Sequence, residues 1–191
     1  MFEMRVHGLG GQGAVTLATW AGMVAYRQGK HVQAFPFFGA ERRGAPVKAY
    51  LRADESPIDL HSQIYSPDLL VVMSADQMAP ALEEGIAPDG KVLVNAGPEL
   101  AERLSKEYSR EVYRIDATMI ALEHELEIDG MPMVNIPLLG SIVSQGGLAA
   151  FDAVMEILKE VAKRGNFDAY EMAARQGFEE VERVDGRETV G

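Results

Sequence analysis

Four glycines, at Gly8, Gly10, Gly11 and Gly13, join a strand-like run to a helix-like one in "RVHGLGGQGAVTLATWAG". A chain that turns this tightly from strand to helix is committed to a β–turn–α unit, with the helix folded back on the strand. The alternation continues. "MRVHG" (4–8), "HVQAF" (31–35), "DLLVVM" (68–73), "KVLVNA" (91–96) and "EVYRIDA" (111–117) read as strands, and helix-like stretches fall at 14–29, 76–84 and 99–107. The unbroken apolar run "DLLVVM" is the pattern of a strand covered on both faces, as in a parallel sheet. "VKAYLRA" (47–53) alternates instead, as an edge strand or hairpin arm does.

From residue 136 the apolar period becomes helical and runs to Gly165, with Pro137 suited to a first turn and Gly165 to a helix end. Another helix is expected over 168–183, before a frayed tail at 184–191. The pattern predicts a single α/β domain over 1–183. Its architecture is a three-layer α/β/α sandwich, Rossmann-like, around a mainly parallel sheet with room for one antiparallel edge.

Charge narrows the function. The net charge is −11 and the isoelectric point about 4.8, so the surface repels nucleic acid and anionic membranes. No apolar run approaches the roughly 20 residues that span a bilayer, and "MFEMRVHGLG" lacks the features of a signal peptide. A cytoplasmic protein is expected. The chain has no cysteine, which excludes disulfides, thiolate nucleophiles and cysteine-bound clusters. Histidines 7, 31, 61 and 124 show no metal-ligand spacing, and neither a nucleophile elbow nor a paired-carboxylate motif occurs. No catalytic residue and no metal site are expected in this chain.

"GLGGQG" matches the dinucleotide fingerprint through Gly8, Gly10 and Gly13. Glycines permit positive φ and close backbone approach, and the next helix offers free N–H groups to an anion. The same glycines would also serve a tight turn and close helix packing alone. An NAD site further calls for an acid at the end of the second strand, yet "HVQAFPFFGA" (31–40) contains none. In "FPFFGAERRGAPV" (35–47), Arg42 and Arg43 stand beside three phenylalanines, which suits a ring-bearing phosphate ligand or an acidic partner; solvated arginines are the plain alternative. Ser74, Asp76, Asn95, Asp116 and Thr118 fall at strand ends, where they would line a pocket or cap turns.

Three blocks, "HGLGGQGAVT", "QAFPFFGAERRGAPVKAYLR" (33–52) and "NIPLLGSIVSQGG" (135–147), together with "SPIDLHSQIYSPDLLVVM", resemble the gamma subunit of 2-oxoacid:ferredoxin oxidoreductases. The resemblance covers about residues 4–160. It implies an enzyme complex that decarboxylates a 2-oxoacid on thiamine pyrophosphate, passes electrons through iron–sulfur clusters to ferredoxin and releases an acyl-CoA. Thiamine pyrophosphate and the clusters would lie in partner subunits: alpha, beta and a ferredoxin-like delta. This chain would aid coenzyme A binding and assembly, would be inactive alone, and could form a homodimer in isolation. The arginine-rich turn looks more like pyruvate or branched-chain oxoacid enzymes than 2-oxoglutarate ones. The residues matching the family's blocks are Gly8, Gly10, Gly11, Gln12 and Gly13, then Arg42, Arg43 and Gly44, then Asn135, Leu139 and Gly140. With Asn95 added from the strand ends, Gly8 to Gly13, Arg42 to Gly44, Asn95 and Asn135 form the candidate ligand set. The competing function is a stand-alone Rossmann-type NAD(P) or FAD oxidoreductase, with Arg42 or Arg43 on a 2′-phosphate.

Overall fold

The computed structural model describes residues 1–37, 44–109, 112–145, 148–162 and 166–184. Strand β1 (Phe2–Leu9) enters the glycine turn, and α1 (Ala14–Arg27) leaves it. Leu17, Ala18, Ala21, Val24 and Ala25 fall on one helical face, and all are buried. Gly29, at φ +82°, ends α1 in a Schellman motif: its N–H donates to the Tyr26 carbonyl and that of Lys30 to Ala25. Strands β2 (His31–Phe37) and β3 (Pro46–Asp54) follow as an antiparallel pair.

Strand β4 (Leu69–Val72) is buried at every position, as its apolar run demands. A 3-10 turn at Ala75–Gln77 leads into the short α2 (Met78–Glu83). Then come β5 (Lys91–Asn95), α3 (Pro98–Glu107), β6 (Val112–Ile115) and α4 (Ala117–Glu123). A small hairpin, β7 (Glu127–Ile128) and β8 (Met131–Pro132), precedes α5 (Asn135–Ser144), α6 (Phe151–Val161), α7 (Phe167–Glu179) and β9 (Glu182–Val184).

The sheet order is β2-β3-β1-β4-β5-β6-β9. Neighbours β1, β4, β5 and β6 are parallel. Strand β2 also points their way, because β3 is antiparallel to both β2 and β1. Helices α1 and α4 to α7 share the core on one face with Met4, Val6, Val71 and Leu93. Helices α2 and α3 cover Leu70, Val72, Val92 and Val94 on the other. The predicted three-layer α/β/α fold with a mainly parallel sheet is what forms.

Some local expectations need correction. The helix expected from residue 136 onward is two helices, because the stretch from Gln145 to Ala150, which contains the Gly-Gly pair, stands between α5 and α6. The last helix stops at Glu179, and residues 182–184 become β9, which pairs Val184 with Val112. Both sheet edges are therefore antiparallel. Helix α4 and the β7–β8 hairpin were not anticipated. The proposed helix end at Gly165 and the tail beyond Val184 lie outside the described residues.

Helix α5 is buried from Asn135 through Val143, since α7 covers the side that α1 leaves open. The two helices meet at glycines. A Cβ on Gly140 would land on the Ala174 carbonyl oxygen, and one on Gly177 on that of Pro137. Ser141 Oγ donates to the carbonyls of Pro137 and Gly177 across this contact. Gly140, one of the residues carried by the family resemblance, thus has a packing reason to be glycine.

Candidate functional site

The carboxyl ends of the parallel strands share one edge, and the glycine turn lies there. Gln12 N–H donates to the Leu9 carbonyl at 3.0 Å, and Gln12 Oε1 returns to accept from Leu9 N–H at 2.7 Å. The start of β3 is stitched to the same turn: Gly10 N–H donates to the Ala45 carbonyl at 2.8 Å, and Gly44 N–H to that of Gly10 at 3.1 Å. So the turn and the residues next to Arg43 in sequence form one unit. Arg42 and Arg43 themselves lie outside the described residues.

Each glycine has a steric reason. A Cβ on Gly8 would sit 3.2 Å from Met73 Sδ, and one on Gly13 3.2 Å from Asn135 Cγ. Gly11 and Gly13 also hold positive φ, +97° and +83°, which a side chain would strain. A Cβ on Gly11 would meet Met131 Sδ at 3.0 Å, so hairpin β7–β8 leans on the turn. Close packing accounts for much of what the fingerprint displays. The N–H groups of Leu9, Gly10 and Gln12 are engaged by the turn's own contacts. Those of Gly11 and Gly13 have no acceptor among the described residues, and the first turn of α1 starts without a side-chain cap. An anion at this turn would be held by that second group.

Asn135 is buried beside Gly13, where α5 begins. Asn95, by contrast, is occupied by the fold. Its Nδ2 donates to the Met73 carbonyl and to Thr118 Oγ1, both at 3.0 Å, and its Oδ1 accepts from Thr118 N–H. Asp116 caps α4 by accepting from Met119 N–H. A hydrogen bond from Ser74 holds the Asp76 carboxyl below the usual range. These strand-end residues cap and bridge, which is the plainer of their two sequence readings.

A group that sequence reasoning passed over lies on the α2 side of the sheet. Arg5 is fully buried, with no carboxylate bound to it among the described residues, yet all its donors are used. Nε donates to His7 Nε2, Nη1 to the carbonyls of Ile64 and Tyr65, and Nη2 to those of Ala81 and Gly85. Carbonyls near the end of α2 carry the negative end of its dipole, which suits a cation. Burial pulls the guanidinium's pKa down, but arginine stays charged. His7 is pushed down to about 4, chiefly by burial and then by the Arg5 charge, against the raising influence of Glu84. Glu84 lies 3.9 Å from His7 and pairs with Lys48 at 2.7 Å. The only signal in the sequence was a charged residue set in an apolar strand.

Strand β3 stands between β2 and β1, so the end of β2, at Phe37, is not next to the glycine turn. An acid at that end, which a dinucleotide ribose requires, would be misplaced as well as missing. No group of His, Asp or Glu suited to a metal occurs among the described residues, nor any helix long and apolar enough to cross a membrane.

Known proteins resemble nearly the whole chain. A family model described as pyruvate ferredoxin/flavodoxin oxidoreductase matches residues 3–180. The pyruvate/ketoisovalerate oxidoreductases common subunit gamma of Pyrococcus furiosus is 40% identical over 186 residues, covering 95% of this chain and 98% of that one. The crystal structure of pyruvate oxidoreductase subunit PORC from Thermotoga maritima superposes with a TM-score of 0.83 at 32% identity, covering 96% and 98% of the two chains. A 2-oxoglutarate:ferredoxin oxidoreductase from Magnetococcus marinus, solved with 2-oxoglutarate, coenzyme A and succinyl-CoA, shares the fold. Its TM-score is 0.70 at 17% identity, over 92% of this chain and 30% of that one.

Proposed function

Since the chain belongs to the pyruvate ferredoxin/flavodoxin oxidoreductase family, as the gamma subunit of a 2-oxoacid:ferredoxin oxidoreductase, we propose that it supplies part of a coenzyme A site and an assembly surface and performs no chemistry itself. One observation carries the reading: the N–H groups of Gly11 and Gly13, just before α1 and without an acceptor among the described residues, adjoin the stitched segment that follows Arg42 and Arg43. A helix start of this kind receives a phosphoryl group, and guanidinium side chains take its remaining oxygens.

When bound, coenzyme A brings the thiol that accepts the acyl group. This chain would hold and orient the phosphate end through Gly11, Gly13, Arg42 and Arg43, with Asn135 against the base of the turn. Iron–sulfur clusters do not fit here, because the chain has no cysteine to bind them. They belong to a ferredoxin-like delta partner, and thiamine pyrophosphate to the alpha and beta partners, in a cytoplasmic complex that delivers electrons to ferredoxin. Pyruvate or a branched-chain 2-oxoacid is the substrate class that the relatives' names favour.

Reconstitution tests this. Alpha, beta and delta subunits assembled with this chain should turn over with saturable dependence on coenzyme A, and this chain alone should be inactive. If the enzyme assembles without it and keeps the same KM for coenzyme A, the proposal fails.

A further inference from the structure

Strand β2 ends the sheet on one side, and among the described residues it pairs with β3 alone. The inner ladders decide which of its backbone groups face outward, because a strand turns successive residues to opposite sides. The carbonyls of Glu3 and His7 accept from Asp68 and Met73 N–H on the β4 side, while Gly10 N–H donates to Ala45 on the β3 side. So Ala49 and Leu51 of β3 serve β1, and Tyr50 and Arg52 serve Phe35 and Gln33 of β2. Val32, Ala34 and Pro36 are left facing outward. Pro36, which has no N–H to give a ladder, agrees with that assignment. The N–H and C=O groups of Val32 and Ala34 therefore have no strand to bond among the described residues.

We propose that this edge is a self-association site: two copies of the chain pair antiparallel through β2, Ala34 against Ala34, and join their sheets about a two-fold axis. Charge favours a second copy as the occupant. Sheet edges are ordinarily guarded by charged side chains or by short length, as at β9, three residues long with Glu182 and Arg183. Strand β2 has seven residues and no Lys, Arg, Asp or Glu. Two copies of a chain of net charge −11 therefore meet there without opposing carboxylates. Symmetry favours it too. Full overlap sets Ala34 opposite itself, bonded in both directions, and Val32 N–H opposite the Pro36 carbonyl. Only the Val32 carbonyl faces the proline's missing N–H. Shape agrees. A groove of about 490 Å³ runs beside the edge on the α1 face, lined by Met23, Tyr26, Val32 and Ala34, with Tyr26 70% exposed. Helix α1 packs over β2 and β3. With strands about 4.8 Å apart, the copy's α1 would come to about 10 Å, a normal helix–helix distance, and the two grooves would close on each other.

The proposal stands without the coenzyme A reading, and its test uses this full chain with no coenzyme. Sedimentation velocity from about 1 to about 100 µM should show the wild type passing from monomer to dimer. Ala34 is exposed, so a charge is tolerated there. Ala34→Lys and Ala34→Glu should each stay monomeric, since like charges then face each other across the axis. The two variants mixed in equal amounts should dimerise again, because opposite charges then meet. Hydrogen exchange on the wild type reads the same edge with no variant. The Val32 and Ala34 amides should slow at least about tenfold on dimerisation, while those of Gln33 and Phe35, bonded to β3, are protected at both concentrations. A wild type still monomeric at the highest concentration, a dimer that both variants retain, or a dimer with an unprotected Ala34 amide would overturn the proposal. So would a monomer whose Ala34 amide slows only when the alpha, beta and delta subunits are added, which would give the edge to another subunit's strand.

Discussion

Arg5 and His7 stand two residues apart on one face of β1, and the guanidinium Nε–H of Arg5 is bound to His7 Nε2 at 3.0 Å. A buried cation that leans on a neutral imidazole makes the fold sensitive to acid in a definable window.

The folded pKa of His7, about 4, lies below the unfolded value near 6.5. Between those values the unfolded chain binds a proton that the folded chain refuses. The stability associated with neutral His7 is thus complete above pH 6.5 and is lost as the pH falls toward 4. From pH 6.5 to 4.5 the loss from this group is expected to be about 2–3 kcal/mol. Urea unfolding at both pH values, compared with His7→Gln, measures it. An equal pH slope in both proteins would be contrary to the expectation.

Removing Arg5 leaves the carbonyls of Ile64, Tyr65, Ala81 and Gly85 facing an emptied, buried space. Arg5→Ala is expected to lose about 3–5 kcal/mol, in the range for breaking a buried charge network. Arg5→Lys keeps the charge but not five fixed donors, and should recover only part of it. Chemical denaturation of the purified chain distinguishes the two.

Two glycine substitutions should differ sharply. Gly177→Ala drives a methyl group into the Pro137 carbonyl and forces α5 and α7 apart, with an expected loss of about 3 kcal/mol or failure to fold. Gly44→Ala meets no atom of the described residues within 4 Å and strains its φ of +80°, so about 1–2 kcal/mol is expected. Thermal melts of the pair give the ordering.

In the assembled oxidoreductase, Arg42→Ala and Arg43→Ala are expected to raise the KM for coenzyme A roughly tenfold each, with little change in kcat. That is the signature of lost ground-state binding, sized for a charge-assisted hydrogen bond. Asn95→Ala, which removes the bridge from Met73 to Thr118, should instead cost about 1–2 kcal/mol of stability and leave that KM unchanged. Steady-state kinetics at varied coenzyme A, read beside melting curves, separates binding from scaffolding.

How much of this was legible in the chain depended on range. Val71 and Leu93 announced buried parallel strands because burial on both faces requires an unbroken apolar run. The glycine turn was visible for the same local reason. Helix α4 was missed because it is short, although its clearest mark, Asp116 as N-cap, was among the strand-end residues read as pocket or cap. The β7–β8 hairpin had a local sign too: Asp129 and Gly130 take positive φ, 52° and 73°, as a tight hairpin turn requires. The grouping of Arg5 and His7 with Glu84 was out of reach. Arg5's carbonyl partners lie 59 to 80 positions along the chain, and only the folded topology brings them in. Likewise, Gly13 and Asn135 were named from separate blocks, and their contact emerged only when α5 packed against α1.

Strand β3 is threaded between β2 and β1, and β2 and β3 are antiparallel neighbours, so the connection between them need not cross the sheet. Residues can be exchanged, added or deleted between antiparallel neighbours while the pairings of β1, β4, β5 and β6 keep their alignment. Sequence change there carries little structural risk. Exchanging that connection between relatives would change its side chains on an unaltered scaffold.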